Sequence, residues 1–432
     1  MREIKLTQGR DIELIKDLVR RFQVTDRSLE KKVEEILEDV KKRGDEALLA
    51  YTREFDCPSF TLEQLKVEEE AIEAAITNCE AEFVETLKLA AKNIRAFHEK
   101  QLPKSWFITR EDGTIMGQMV RAVGSAGLYC PGGKGGTTPL VSTVLMNAIP
   151  AKIAGVERLA MVTPPDEKGG ISPYLMVAAK IAGVDEIYKV GSAWAIAALA
   201  YGSDSIDPVD VIVGPGNIFV TLAKKLVSGL VGIDMIAGPS EVLIIADSSA
   251  NPELIAADLL SQAEHDPMAM CCLVTTDESL LASVKSCLEE QLRDLPRKEI
   301  CRESLKSNGV LILVHDLIEA AWVSNEIAPE HLELYVEEPW ELLTQIKNAG
   351  AIFLGANTPE SVGDYIAGPN HVLPTMGTAR FSSALSVDTF LKRSSVISYS
   401  RSALLKDGPH VARLARAEGL EAHARSVLKR IE

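Results

Sequence analysis

Residues 209–225 read VDVIVGPGNIFVTLAKK. The first five positions are a β-branched apolar run interrupted by one aspartate, short enough for a strand covered on both faces. Gly-Pro-Gly then breaks the run, and the segment 218–228 has helical length and composition. Strand, loop and helix in that order make one step of a parallel α/β fold.

The same step recurs on both sides. RAVGSAGLYCPGG, VERLAMVTPP and VDEIYKVG precede it, separated by Ala-rich helical segments at 139–155, 172–183 and 193–201. After GLVGIDMIAGPS it starts again with EVLIIAD, MCCLVTT, GVLILVHD and AIFLG, and helices are expected at 252–265, 278–293, 316–327 and 339–348. The expected fold class is α/β, with two incomplete Rossmann-like doubly wound units. Residues 1–105 read as helical, on the amphipathic pattern of segments such as SLEKKVEEILEDVKKRGDEALLAYTREF. The end of the chain, ARLARAEGLEAHARSVLKRIE, reads as a basic amphipathic tail helix that docks on its own body or on a partner. The expected domains are 1–128 with 240–384, an inserted unit 129–239, and a C-terminal dimerisation tail 385–432.

Bulk properties narrow the function. At 432 residues the chain exceeds a single simple core. A net charge of −16, from 46 basic and 62 acidic residues, argues against nucleic acid. The charged start MREIKLTQGRDIELIKDLVRR does not fit a signal peptide, and apolar runs such as Ala193–Tyr201 fall short of the ~18 residues of a membrane span. Seven cysteines without a Cys-x-x-Cys pair suggest reduced thiols and a cytoplasmic protein.

The polar motifs suggest a shared site. SQAEHDP, at 261–267, closes a helical pattern begun by Asn251 and Pro252. Gln262 and His265 are three apart on one side, a spacing that suits two metal ligands, although a solvated helix end has the same look. Of seven histidines, His98, His315 and His410 lie in plain surroundings. The other four, His265, His331, His371 and His423, sit in dense polar motifs with a carboxylate nearby. Their wide separation excludes a local zinc finger and favours a site assembled from distant segments.

GPGNIFVTLAKK, IDMIAGPSEVLIIAD, DLLSQAEHDP, APEHLEL, GDYIAGPNHVLPT, ARFSSALSV and EGLEAHA together resemble the histidinol dehydrogenase family, from about residue 25 to the end. The resemblance implies a homodimer that oxidises L-histidinol to L-histidine in two steps, with two NAD and an aldehyde that is not released. Carried onto this sequence, it makes Gln262, His265, Asp364 and His423 the ligands of one Zn2+ per subunit. Glu330 and His331 become the acid/base pair, and Ser240, His371 and Glu418 contact the substrate beside those groups. The tail exchanges between subunits, so that Glu418 and His423 serve the partner's site.

Such a shell of imidazoles, a carboxylate and an amide oxygen suits zinc. Zinc in this reading orients the substrate, His331 accepts the hydroxyl proton, and Glu330 activates the water that hydrates the aldehyde. For PEHL the alternative is a helix N-terminus whose glutamate satisfies first-turn amides. No Gly-x-Gly-x-x-Gly follows a strand, since GPGN and CPGGKGG both lack the remaining spacing. The cofactor positions implied by the resemblance are Tyr129, Asn217 and Trp194, the last standing where relatives carry glutamine. An indole lacks an amide's acceptor oxygen, though it can stack on a ring. GGTTPLVST and Met376 also depart from common relatives. Two rival functions are a family dehydrogenase for another small polyol, such as a sulfonated diol, and a zinc hydrolase; a non-enzymatic zinc-stabilised binding protein is a third.

Overall fold

The computed structural model describes residues 1–6, 13–15, 18, 27–132 and 139–432. Two parallel sheets form the body. In the first, β4 (Ser125–Tyr129), β5 (Arg158–Thr163), β6 (Glu186–Lys189), β7 (Val211–Val213) and β8 (Gly232–Ile233) lie in the order β6-β5-β4-β7-β8. In the second, β1 (Arg2–Lys5), β9 (Glu241–Ala246), β10 (Met270–Thr275), β11 (Gly309–Leu313), β12 (His331–Tyr335) and β13 (Ala351–Leu354) lie in the order β1-β11-β10-β9-β12-β13. The eight strands expected from apolar runs are all present, and helices cover both faces of each sheet, as continuous apolar strands require.

The VDVIVGPGN stretch shows why the local rule works. Val211, Ile212 and Val213 are buried on β7, and Asn217 then caps the Ile218–Val227 helix, its side chain accepting from Phe219 N and Val220 N at 3.0 and 3.2 Å. Gly214 has φ +115°, and a Cβ there would stand 2.1 Å from the Tyr129 carbonyl oxygen, so only glycine passes between β7 and β4.

Several elements differ from expectation. Residues 2–5, expected to be helical, form edge strand β1, paired in parallel with β11; four residues are too few for periodicity to distinguish. The PEHL segment starts β12, a strand between β9 and β13, and is not a helix N-terminus. Its alternation puts Leu332 and Leu334 in one core while His331, Glu333 and Tyr335 face the other side. Polar residues on that face hid the strand.

The helices between Arg27 and His98, grouped by sequence with the 240–384 unit, pack their apolar faces on the five-stranded sheet's two cores. A small antiparallel sheet, β14-β3-β2, joins β2 (Trp106–Thr109), β3 (Ile115–Ala122) and β14 (Leu391–Ser398). The tail is two helices, Arg401–Ala417 and Glu421–Ile431, folded back at Gly419, which has φ +76°. They share a small core of Ala412, Ala415 and Ala424. Among the described residues, no helix is long and apolar enough to cross a membrane.

Candidate active site

The polar motifs meet at the amino-terminal edge of the six-stranded sheet. His331 is the first residue of β12, Glu241 the first of β9, and the SQAEHDP corner leads into β10. The five-stranded sheet instead presents its carboxyl edge, where Tyr129 ends β4 and Asn217 follows β7. The two edges are stitched together. The Asn370 amide nitrogen donates to Met146 O at 2.7 Å, and His371 Nε2 lies 3.4 Å from Thr143 Oγ1, both partners on the Val141–Ala154 helix. Ligands of open α/β sheets ordinarily sit at carboxyl ends. Only one of the two sheets follows that rule, so strand polarity alone locates half of this site.

His331 is the centre. Its Nδ1 lies 3.1 Å from the Glu241 carbonyl oxygen, which can only accept, so Nδ1 carries a proton in either charge state and Nε2 is the nitrogen that gains or loses one. Nε2 is buried without a hydrogen-bond partner, and Asp364 Oδ1 is 3.8 Å away. At the other edge of the ring, Glu360 Oε1 and Glu330 Oε2 lie 3.6 and 3.9 Å from Nδ1. Burial by itself lowers the imidazole, but the carboxylates of Glu360, Glu330 and Asp364 outweigh it and hold it well above its ordinary value.

Glu330 Oε2 accepts from Glu241 N at 2.9 Å, and burial pushes the Glu330 carboxyl up to about 8. Burial likewise brings Glu241 and Glu360 up to about 7. Asp364 goes the other way: burial would raise it, but the adjacent His331 holds it below the usual carboxylate range. His371 is lowered by burial; its Nδ1 lies 3.1 Å from the Asp364 carbonyl oxygen.

Gln262 is fully buried at the end of the Pro252–Ala263 helix, against Glu360. His265 is exposed at the next turn, with Nδ1 3.0 Å from Ser261 O, which leaves Nε2 as its available donor atom. Among the described residues, the histidine, cysteine and carboxylate atoms that gather within 4.8 Å of one another belong to His331, Glu360 and Asp364. His265 and His423 are outside that group. Glu418 and His423 are exposed on the tail hairpin, which packs chiefly on itself. Ser240 is half-buried ahead of β9, its carbonyl accepting from Met270 N.

At the other edge, the buried Tyr129 hydroxyl accepts from Ser192 N at 3.1 Å. Trp194 is buried and stacked on Tyr51 and Phe55 at 5.6 and 5.5 Å between centroids. Its indole fills core, with Nε1 buried and without a hydrogen-bond partner. Part of CPGGKGG and GGTTPLVST, residues 133–138, lies outside the described residues.

Sequence reasoning missed Glu241, Glu333 and Glu360. Glu360 follows Pro359 and looks like an ordinary first-turn carboxylate. Glu241 and Glu333 left one usable signal, an acidic residue inside or opening an apolar strand, where an unpaired charge is costly.

A family model described as histidinol dehydrogenase matches residues 19–431. A histidinol dehydrogenase of Desulfotalea psychrophila is 57% identical, covering 97% of this chain and 96% of that protein. One from Oleidesulfovibrio alaskensis is 54% identical over 100% and 99% of the two chains. The crystal structure of histidinol dehydrogenase from Elizabethkingia anophelis superposes with a TM-score of 0.93 at 38% identity, covering 100% of this chain and 98% of that one.

Proposed function

We propose, from the premise that this chain belongs to the histidinol dehydrogenase family, that it oxidises L-histidinol to L-histidine through an enzyme-held aldehyde, using two NAD and one Zn2+ per subunit. Family membership makes it an oxidoreductase of histidine biosynthesis; the cofactors, the two-step course and the residue roles are our reading. The observation that carries it is the His331 ring, with Nδ1 committed to the Glu241 carbonyl and Nε2 buried without a hydrogen-bond partner. A ring nitrogen held out of water with no protein partner is suited, in the neutral imidazole, to take a proton from substrate.

The residues fit a zinc ion: Asp364 and Gln262 offer oxygens, His265 offers Nε2, and His423 supplies a second imidazole once a partner's tail is brought in. Zinc, when bound, supplies an anchor for the substrate's imidazole and amine, and NAD supplies the hydride acceptor. His331 takes the alcohol proton at Nε2 in the first oxidation. The raised basicity imposed by Glu360 and Glu330 favours that transfer. Glu330, its carboxyl raised to about 8, is in its ionised form basic enough to take a proton from the water that hydrates the aldehyde. Ser240, His371 and Glu418 complete the substrate's surroundings. Tyr129 and Asn217 face the nucleotide, whereas Trp194 serves as core behind it.

Dimer formation through the tail is supported by what is left uncovered. Leu405, Val411, Leu414 and Leu420 are exposed on the hairpin, and Trp106, Phe107, Ile108 and Ile397 on the three-stranded sheet. Apolar exposure on this scale marks an interaction surface. A cytoplasmic setting is supported by seven free cysteines. The deciding experiment is incubation of the zinc-loaded protein with NAD and L-histidinol, following absorbance near 340 nm. Two NADH per substrate are expected; one NADH, or none, would refute the reading. Deleting residues 401–432 should give monomers in sizing with light scattering and abolish turnover, and an active truncated monomer would remove the shared-site assignment.

A further inference from the structure

Glu360 enters the chemistry above only through its charge beside His331, yet several elements of the site converge on it. It is buried in the first turn after Pro359. Its backbone N–H donates to Glu333 Oε1 at 2.9 Å, tying it to β12, and its carboxylate lies 3.6 Å from His331 Nδ1. Both carboxylate oxygens face the Gln262 amide. With the amide nitrogen toward Glu360, that nitrogen donates to Oε1 at 2.9 Å and to Oε2 at 3.0 Å. The opposite orientation would place the amide oxygen at those distances from two oxygens that, in the ionised carboxylate, make three acceptors with no hydrogen among them in a buried place.

The amide therefore has one sense. The amide nitrogen donates to Glu360, one N–H shared between both carboxylate oxygens, and the carbonyl oxygen points away, free to accept. An amide lacking this partner could present either end to a cation, and only the oxygen binds one.

We propose that Glu360 is the positioning residue of the metal site, fixing the amide of Gln262 so that its oxygen is the end offered to the cation. The proposal rests on the reading of Gln262 as a zinc ligand and adds the residue that orients it. Outer partners of this kind typically govern metal affinity by about 10- to 100-fold.

The test measures zinc affinity by chelator competition, together with the visible spectrum of the cobalt-loaded protein. Four full-length proteins are compared: wild type, Gln262→Ala, Glu360→Gln, and the swap Gln262→Glu with Glu360→Gln. Each single variant should weaken zinc by about 10-fold or more, and Glu360→Gln should shift the cobalt bands. The swap should recover affinity to within about threefold of wild type, because an amide at 360 then holds a carboxylate at 262 by the reversed bond. It preserves charge and composition, so it stays informative if Glu360→Gln alone fails to fold. Wild-type affinity in Glu360→Gln with weakened binding in Gln262→Ala would overturn the proposal, as would a folded swap that stays weak. Wild-type affinity in Gln262→Ala would instead overturn the underlying ligand assignment.

Discussion

Replacing Lys224 by Met tests how the loop after β7 is held. Lys224 and Asp234 form an ion pair with side chains 3% and 0% exposed. Lys224 Nζ also donates to Gly214 O at 2.9 Å, while Asp234 Oδ2 accepts from Gly214 N at 2.8 Å and Oδ1 from Met235 N at 2.6 Å. Both backbone groups of Gly214 are thus pinned by one buried pair, and Gly214 begins the turn that aims Asn217. Removing the lysine leaves a buried carboxylate with two amide donors and no counter-charge. Breaking such a pair costs about 3–5 kcal/mol, a rise of roughly 100- to 4,000-fold in the opened population at 1.4 kcal/mol per decade. Asp234→Asn in the Lys224→Met background removes the stranded charge while keeping an acceptor for Gly214 N. The double variant should therefore be more stable than Lys224→Met alone, with a coupling of about 2 kcal/mol or more. Urea unfolding, with hydrogen exchange followed on the five-stranded sheet, provides the cycle. A loss below about 1 kcal/mol in Lys224→Met, or additive losses in the double variant, would refute the reasoning.

The remaining expectations concern catalysis, pH and the helix cap. His331→Asn should depress both oxidations by about 100-fold or more, and Glu330→Gln should slow the aldehyde step more than the alcohol step; single-turnover NADH formation from each substrate separates them. Glu241, with a folded value of about 7 against an ordinary 4.5, holds extra protons in the folded state between those values. Its contribution is therefore present below about pH 4.5 and lost as pH rises through about 7, in all about 3 kcal/mol. Metal-free Glu241→Gln should show a correspondingly flatter fall in stability across that window, and a parallel fall would remove the linkage. Asn217→Ala should cost about 1 kcal/mol through the lost cap while Asn217→Ser recovers it. If the cap is the whole role, NAD affinity will recover in Asn217→Ser together with melting temperature; affinity that stays low assigns the amide to the cofactor.

Some of this was legible in residue order because it is governed by local periodicity. β4 to β7, β9 to β11 and β13 are apolar runs with turn residues behind them, and burial on both faces leaves no other use for such runs. The clustering of His331, Asp364 and Gln262 was legible through motif likeness. What remained hidden depends on which chain segments become neighbours. β12 carries His331, Glu333 and Tyr335 on a face that must be buried, and polar side chains in that place are tolerable only because Glu241, Glu360 and Asp364 arrive from two other segments. No window of sequence contains those partners.

Residue order alone established the α/β class, the repeated strand–helix step and the handful of polar motifs, since each is written in spacings of a few residues. Tertiary structure decided that the amino edge of one sheet meets the carboxyl edge of the other, which end of the Gln262 amide faces outward, and which nitrogen of His331 lacks a hydrogen-bond partner. The reason is physical: a hydrogen bond or a charge shift depends on distance in space, and here the partners lie some 90 residues apart along the chain.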